Sequence, residues 1–308
     1  MKDLLRKVAH ALIRPLKLVL ADRELIRLKF RYRFGKSLNL ENPRTFNEKI
    51  QWIKLYDRDP LMTLYADKYE IRKVVENKIG RHILNELYGV FESVDEIDFD
   101  SLPESFVLKA SHGCEWNIIV KNKSVLDRKK AKKKMRKWLA TNYYTRKREW
   151  AYKHIKPRIV CEKYMENKDG SLIDYKFFCF NGIPRFIQIH LDRYTGHKRT
   201  FYTTQWQKLD LFMEKKGGDH YRGELSRPKS LTDMVEIART LSESFTFARI
   251  DMYDVDGKAI FGEVTFYPGN GMKRFSPKSW DEKFGSYLEL PKVHIPTIGD
   301  DREAAGSL

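Results

Sequence analysis

Apolar residues recur at helical spacing from the first turn of the chain: Leu4, Leu5, Val8, Leu12, Leu16 and Leu20 share one stripe, while Lys2, Arg6, Arg14 and Lys17 tend to other faces. This pattern predicts a basic amphipathic helix over residues 1–20. A second helix is predicted over 46–56, where Thr45-Phe46-Asn47-Glu48 fits a capping box and Phe46, Ile50, Ile53 and Leu55 form the apolar stripe. A third is expected over 67–77. From Phe106 the period falls to two: 106–110 and 116–121 read as strands, joined through Ser111-His112-Gly113-Cys114-Glu115 as a small polar tip. A densely charged helix over 127–140 follows, then strands over 158–165 and 174–180, with 166–170 as a linker. The helix predicted over 231–244 leads into a strand at 247–253. Asp254-Val255-Asp256-Gly257 should turn the chain into a last strand over 259–266.

A chain of 308 residues with 42% hydrophobic and 33% charged side chains belongs among globular proteins, and fibrous or wholly disordered classes are excluded. No apolar run reaches the ~18 residues of a spanning helix. The net charge is +17, concentrated in two segments: residues 1–36 carry +8 and residues 121–158 carry +14, leaving the remainder at −5. A charged partner is therefore expected to be anionic: a nucleotide, nucleic acid, acidic polysaccharide or membrane surface. Arg14 and Lys17 interrupt the first apolar stretch and no small-residue cleavage site follows, which argues against a secretory signal. The leucine stripe either packs on the protein or docks on an anionic membrane. Cys114, Cys161 and Cys179 lie far apart without Cys-x-x-Cys spacing, so a reducing cytoplasm is expected. The lysine-rich helix is either a solvated face or a contact for phosphates and polyanions. It lacks interleaved aromatics, which disfavours nucleic acid.

The chain has no P-loop, dinucleotide fingerprint, His-Glu-x-x-His, nucleophile elbow or kinase Asp-Phe-Gly. Asp-x-Asp triplets at 57–59, 98–100 and 254–256 are of the type that holds a metal in sugar-nucleotide glycosyltransferases, but each also suits a loop or turn. More informative is Arg249-Ile250-Asp251 followed, beyond the turn, by Glu263-Val264-Thr265. In a hairpin centred on Val255 and Asp256, Asp251 should lie opposite residue 260, with Glu263 and Thr265 continuing along the same face. Two carboxylates and a hydroxyl suit Mg²⁺ carrying phosphate oxygens, and Lys109 beside a Ser-His-Gly turn supplies a complementary cation and backbone N–H groups.

At these residues the chain resembles the ATP-grasp superfamily. Ala248-Arg249-Ile250-Asp251 with Glu263-Val264-Thr265-Phe266-Tyr267-Pro268-Gly269 is similar to the Ala-Arg-Val-Asp…Glu-x-Asn-x-x-Pro-Gly pattern of D-alanine–D-alanine ligases, with Thr265 in place of the Asn. Over about residues 40–290 it resembles the TupA-like ATP-grasp family, named for teichuronopeptide biosynthesis. That likeness is carried by Asn42-Pro43-Arg44-Thr45-Phe46-Asn47-Glu48-Lys49, Ala66-Asp67-Lys68-Tyr69, Leu102-Pro103-Glu104-Ser105-Phe106-Val107-Leu108-Lys109 and Phe261-Gly262-Glu263-Val264-Thr265.

The resemblance implies an α+β fold in which two subdomains sandwich ATP. The expected division is a basic helical region at 1–60, an N-terminal and middle part with the phosphate loop at 61–165, a C-terminal subdomain with the metal site at 166–291 and a tail at 292–308. It also implies roles. Lys68 and Lys109 match the two nucleotide lysines, and Ser111, His112 and Gly113 the loop over the phosphates. Glu162, Lys163, Tyr164 and Met165 match the adenine hinge, and Asp174 and Lys176 the polar pair after it. Asp251, Glu263 and Thr265 fall on the metal-ligand positions, and Arg249 on the arginine at the reacting acyl group; Arg249, Lys109 and Lys176 are the expected catalytic set. The implied reaction, with ATP and Mg²⁺, joins a carboxylate to an amine through an acyl phosphate. By the same resemblance the carboxylate is a uronic acid or amino acid of a cell-surface polysaccharide, handled in the cytoplasm or at the inner face of the membrane. A glycosyltransferase and an ATP-grasp kinase are the alternatives.

Overall fold

In the computed structural model the described residues are 20–191, 196–213 and 220–292. The helix expected over 1–20 and the tail expected at 292–308 lie, but for Leu20 and Lys292, outside them. Two antiparallel sheets with helices against them give an α+β architecture. The first sheet contains β1 (Leu87–Phe91), β2 (Phe106–Ala110), β3 (Asn117–Val120) and β4 (Ile159–Lys163), in the order β1-β4-β2-β3. Next come β5 (Asp174–Phe180), β6 (Ile183–Leu191), β7 (Lys198–Thr203), β8 (Lys208–Leu209), β9 (Phe212–Met213), β10 (Phe247–Val255), β11 (Lys258–Thr265) and β12 (Phe275–Ser276). The second sheet runs β11-β10-β5-β6-β7-β8, and β9 pairs with β12.

The second sheet carries the larger aromatic core. Every residue of β5 is buried, as befits a central strand covered on both faces. Helix Phe46–Tyr56, which the sequence division places with the N-terminal region, packs here: the Phe46 ring lies 5.1 Å from Phe247, 5.7 Å from Phe284 and 6.0 Å from Phe180. Its start is fixed as expected, with Thr45 Oγ1 accepting from the Glu48 N–H and Glu48 accepting from the Thr45 N–H.

Two expectations are corrected. The helix anticipated over 67–77 begins at Ile71, because Asp67 Oδ1 accepts from the backbone N–H groups of Tyr69 and Glu70 and holds 67–70 in a turn. Lys68 therefore sits on that turn and not on a helix. Asp251 is opposite Glu263, not residue 260. The hairpin turns at Asp256 and Gly257, pairing Val255 with Lys258, and a bulge between Met252 and Asp251 leaves Gly262 unpaired. A side chain there would not fit, since a Cβ on Gly262 would lie 2.9 Å from the Asp251 carbonyl oxygen.

Candidate active site

The bulge is what assembles the acidic row. On a sheet, opposed residues share a face. Lys176 on β5 pairs with Asp251 on β10, and Asp251 pairs in turn with Glu263 on β11. One step along, Arg249 opposes Thr265. The Arg249 guanidinium grips the Asp251 carboxylate through two nitrogens at 2.6 and 2.7 Å, donates to Thr265 Oγ1 at 3.1 Å and lies 3.9 Å from Glu263. Lys176 bridges Asp251 and Asp174, 2.7 Å from the latter. Asp174 stands two residues before Lys176 and so faces the same side.

Lys68 connects this row to the first sheet. Its Nζ lies 3.0 Å from Glu263 Oε2 and donates to the Gly113 carbonyl at 2.8 Å, and its backbone N–H donates to Ser111. Burial would raise the Glu263 carboxyl, but Lys68, Lys176 and Arg249 outweigh it and hold the group well below the usual carboxylate range. Burial pushes Asp251 up while Arg249 and Lys176 pull it back. Against the cost of burial, Glu263 keeps the Lys68 ammonium above its ordinary value and Asp251 does the same for Arg249. The site is thus a network of buried charges whose mutual pairing offsets part of the cost of burying them.

A second cluster lies on the first sheet. Glu162 opposes Val107, and Lys109 follows Val107 by two residues, so the two charged side chains share a face and meet at 2.6 Å. Arg72 holds the other Glu162 oxygen at 3.0 Å and donates to the Asn85 carbonyl. Burial raises the Glu162 carboxyl, but Lys109 and Arg72 bring it below its ordinary value. At Lys163 the backbone N–H donates to the Glu86 carbonyl and the carbonyl accepts from Asn85 Nδ2, and Tyr164 and Met165 lie past the end of β4.

The polar side chains of the loop at 111–113 turn into the protein. Ser111 Oγ donates to the Lys156 carbonyl at 3.2 Å, and His112 is buried with its Nε2 2.9 Å from the Trp138 carbonyl. Both side chains anchor the loop to the protein, because a buried polar atom must find a partner. Gly113 packs on Trp116, whose ring a Cβ would approach to 2.6 Å.

The sequence reading missed Arg72 and Asn85, which carry no spacing signal, and also Lys54 with Gln51. Lys54 Nζ bonds Asn270 Oδ1 at 2.8 Å, and Gln51 Nε2 bonds the Asn270 and Gly271 carbonyls. They fix the turn just beyond Thr265, where residues 269–271 all have positive φ. A Trp and several apolar residues on the same helix masked them. The Asp-x-Asp at 254–256 is a turn device: Asp254 accepts from Ser230 and from the Gly257 N–H.

Among the described residues no three His, Cys, Asp or Glu side chains form a self-sufficient metal cage. The donors do fit Mg²⁺, which binds through one or two carboxylates and completes its octahedron with phosphate oxygens and water. Asp251 and Glu263 provide two hard carboxylates on directly opposed positions.

A protein-family model described as TupA-like ATPgrasp matches residues 48–289. Among curated proteins none matches. Solved structures that the chain is similar to include an L-amino acid ligase from Bacillus licheniformis (13% identity, covering 83% of this chain and 56% of that one, TM-score 0.42). Two others are D-alanine–D-alanine ligases. The one from Helicobacter pylori has 13% identity, coverage of 80% and 69%, and TM-score 0.40. The one from Bacillus anthracis, complexed with ATP, has 15% identity, coverage of 66% and 54%, and TM-score 0.37. The chain spans about half the length of the first of these structures.

Proposed function

The chain belongs to the TupA-like ATP-grasp family, and from that premise we propose that it is an ADP-forming ligase joining a carboxylate to an amine. The observation that carries the reading is the row Lys176–Asp251–Glu263, flanked by Arg249 and tied by Lys68 to the loop at Gly113. Lys68 and Lys109 would meet the nucleotide phosphates, offsetting charge as the γ-phosphoryl passes to the carboxylate. Glu263 and Asp251 would hold Mg²⁺, which supplies further charge neutralisation at the phosphates. Arg249, held rigidly by Asp251, would stabilise the oxyanion when the amine attacks the acyl phosphate. Lys176 keeps Asp251 and Asp174 in place. The family's association with teichuronopeptide and the chain's charge of +17 support a uronic acid or amino acid of an anionic cell-surface polysaccharide as substrate.

Glu263→Gln keeps the shape and removes a charge, and Lys109→Ala removes a cation facing the phosphates. Each should lower ADP formation by on the order of 10²-fold or more. Lys109→Ala should weaken ATP more than adenosine in titration calorimetry. Asp254→Asn should retain activity, because its carboxylate only braces a turn. Full activity in Glu263→Gln with loss in Asp254→Asn, accompanied by binding of a UDP-sugar, would replace this reading by the glycosyltransferase one. Mass spectrometry of products from ATP, a uronic acid and an amino acid separates a ligase, which yields an amide, from a kinase, which stops at the phosphate.

A further inference from the structure

Helix Arg128–Leu139 carries eight Lys or Arg in twelve residues and no acid. Ala131, Met135 and Trp138, at helical spacing, are buried against the first sheet with Phe106, Leu108 and Ala110 of β2. Lys109 alternates to the opposite face of that strand. The helix therefore covers the back of the sheet, away from the Lys109–Glu162 cluster. Seven of its eight cations divide into two sets, and the eighth, Lys134, donates to the Asn117 carbonyl at 3.3 Å. Arg128 pairs with Asp100 at 2.6 Å, Arg136 with Asp95 at 2.7 Å, and Lys132 lies 4.0 Å from Asp95. Lys129, Lys130, Lys133 and Lys137 are exposed and have no acidic partner among the described residues. They span two turns of helix, about 12 Å, and repel one another. A neighbouring anionic surface would lower that repulsion. Just before the helix Val125 is 80% exposed.

We propose that this face docks the protein on the anionic headgroups of a lipid bilayer, with Lys129, Lys130, Lys133 and Lys137 at the headgroups and Val125 at the shallow apolar rim. Three features favour lipid over nucleic acid or a soluble polymer. Every exposed side chain within the helix between Arg128 and Lys137 is cationic, so no ring is offered for base stacking. Clustered lysines on one helix face suit a laterally continuous negative surface. An exposed valine gains nothing from a polyanion but gains from the interface of a bilayer. Because the helix lies behind the sheet, docking leaves the nucleotide side open.

The test is sedimentation of the full chain with vesicles of phosphatidylglycerol and phosphatidylcholine, and with vesicles of phosphatidylcholine alone. The wild type should bind the anionic vesicles alone, and less as salt is raised. The variant K129Q/K130Q/K133Q/K137Q keeps helix propensity and should lose binding on the order of a hundredfold at low salt, with ATP binding retained as the sign of an intact fold. Val125→Asp, outside the helix, should weaken vesicle binding on its own. Equal binding to both vesicle types, undiminished binding by the quadruple variant, or displacement from vesicles by a soluble polyuronate at matched charge would each overturn the proposal, the last by reassigning the face to a polymer.

Discussion

Lys54 is 1% exposed, and burial pushes its ammonium down to about 7, against the pull of Glu149 and with Lys29 and Lys147 adding to the depression. Between that value and the ordinary 10.5 the unfolded chain binds a proton that the folded chain does not. Stability from this group therefore rises with pH across that window and is lowest at and below about 7. Lys54→Met should flatten the rise of melting temperature between about pH 7 and 10, measured beside the wild type. It should also loosen the turn at Asn270, which loses its donor. An unchanged slope would mean that Lys54 titrates normally. The grouping of Asp251 with Glu263 and Thr265 was legible because the Asp256-Gly257 turn folds their two strands together, whereas Lys68, Glu162 and Lys176 were singled out only by the family resemblance. Lys54 was not legible, because a lysine on a predicted helix reads as solvated until the packing around it is known.

Individual elements were legible where their ends carry chemistry. The capping box set the start of helix Phe46–Tyr56, and Asp127 caps the lysine-rich helix by accepting from the Lys130 N–H. The register of β10 and β11 was not legible from the turn alone. The signal was the apolar phase: Ala259 and Phe261 step by two, Val264 follows by three, and Phe266 by two again, which marks an extra residue between Phe261 and Val264. Thr45→Ala should cost about 1 kcal/mol in denaturant unfolding, since it strips one half of the box. Burial raises the Glu48 carboxyl, but the backbone N–H groups of Thr45 and Arg44 and the Lys36 ammonium bring it below its ordinary value of 4.5. Its contribution is present above about 4.5 and is lost as pH falls through the depressed folded value. Glu48→Gln should show a shallower loss of stability on acidification than the wild type.

At the scale of the whole molecule, a helix from the first fifth of the chain completes a core made by the second half. Asn47 bonds Asp281 and the Lys273 carbonyl, Lys49 donates to the Gly285 and Leu288 carbonyls, and Phe46 fills the aromatic cluster around Phe284. A chain beginning after residue 57 should therefore lose cooperative thermal unfolding in calorimetry altogether, although every strand of both sheets remains in it.

The same arrangement sets a clock during synthesis. Asn47 leaves the ribosome 234 residues before Asp281. At ~5–20 residues per second that is an interval of roughly ten to fifty seconds. For that time Phe46, Ile50 and Ile53 have no finished core to enter. The helix is the first part of that core to be made and among the last to be housed, so the nascent chain depends on keeping this apolar stripe from other chains until its C-terminal partner arrives.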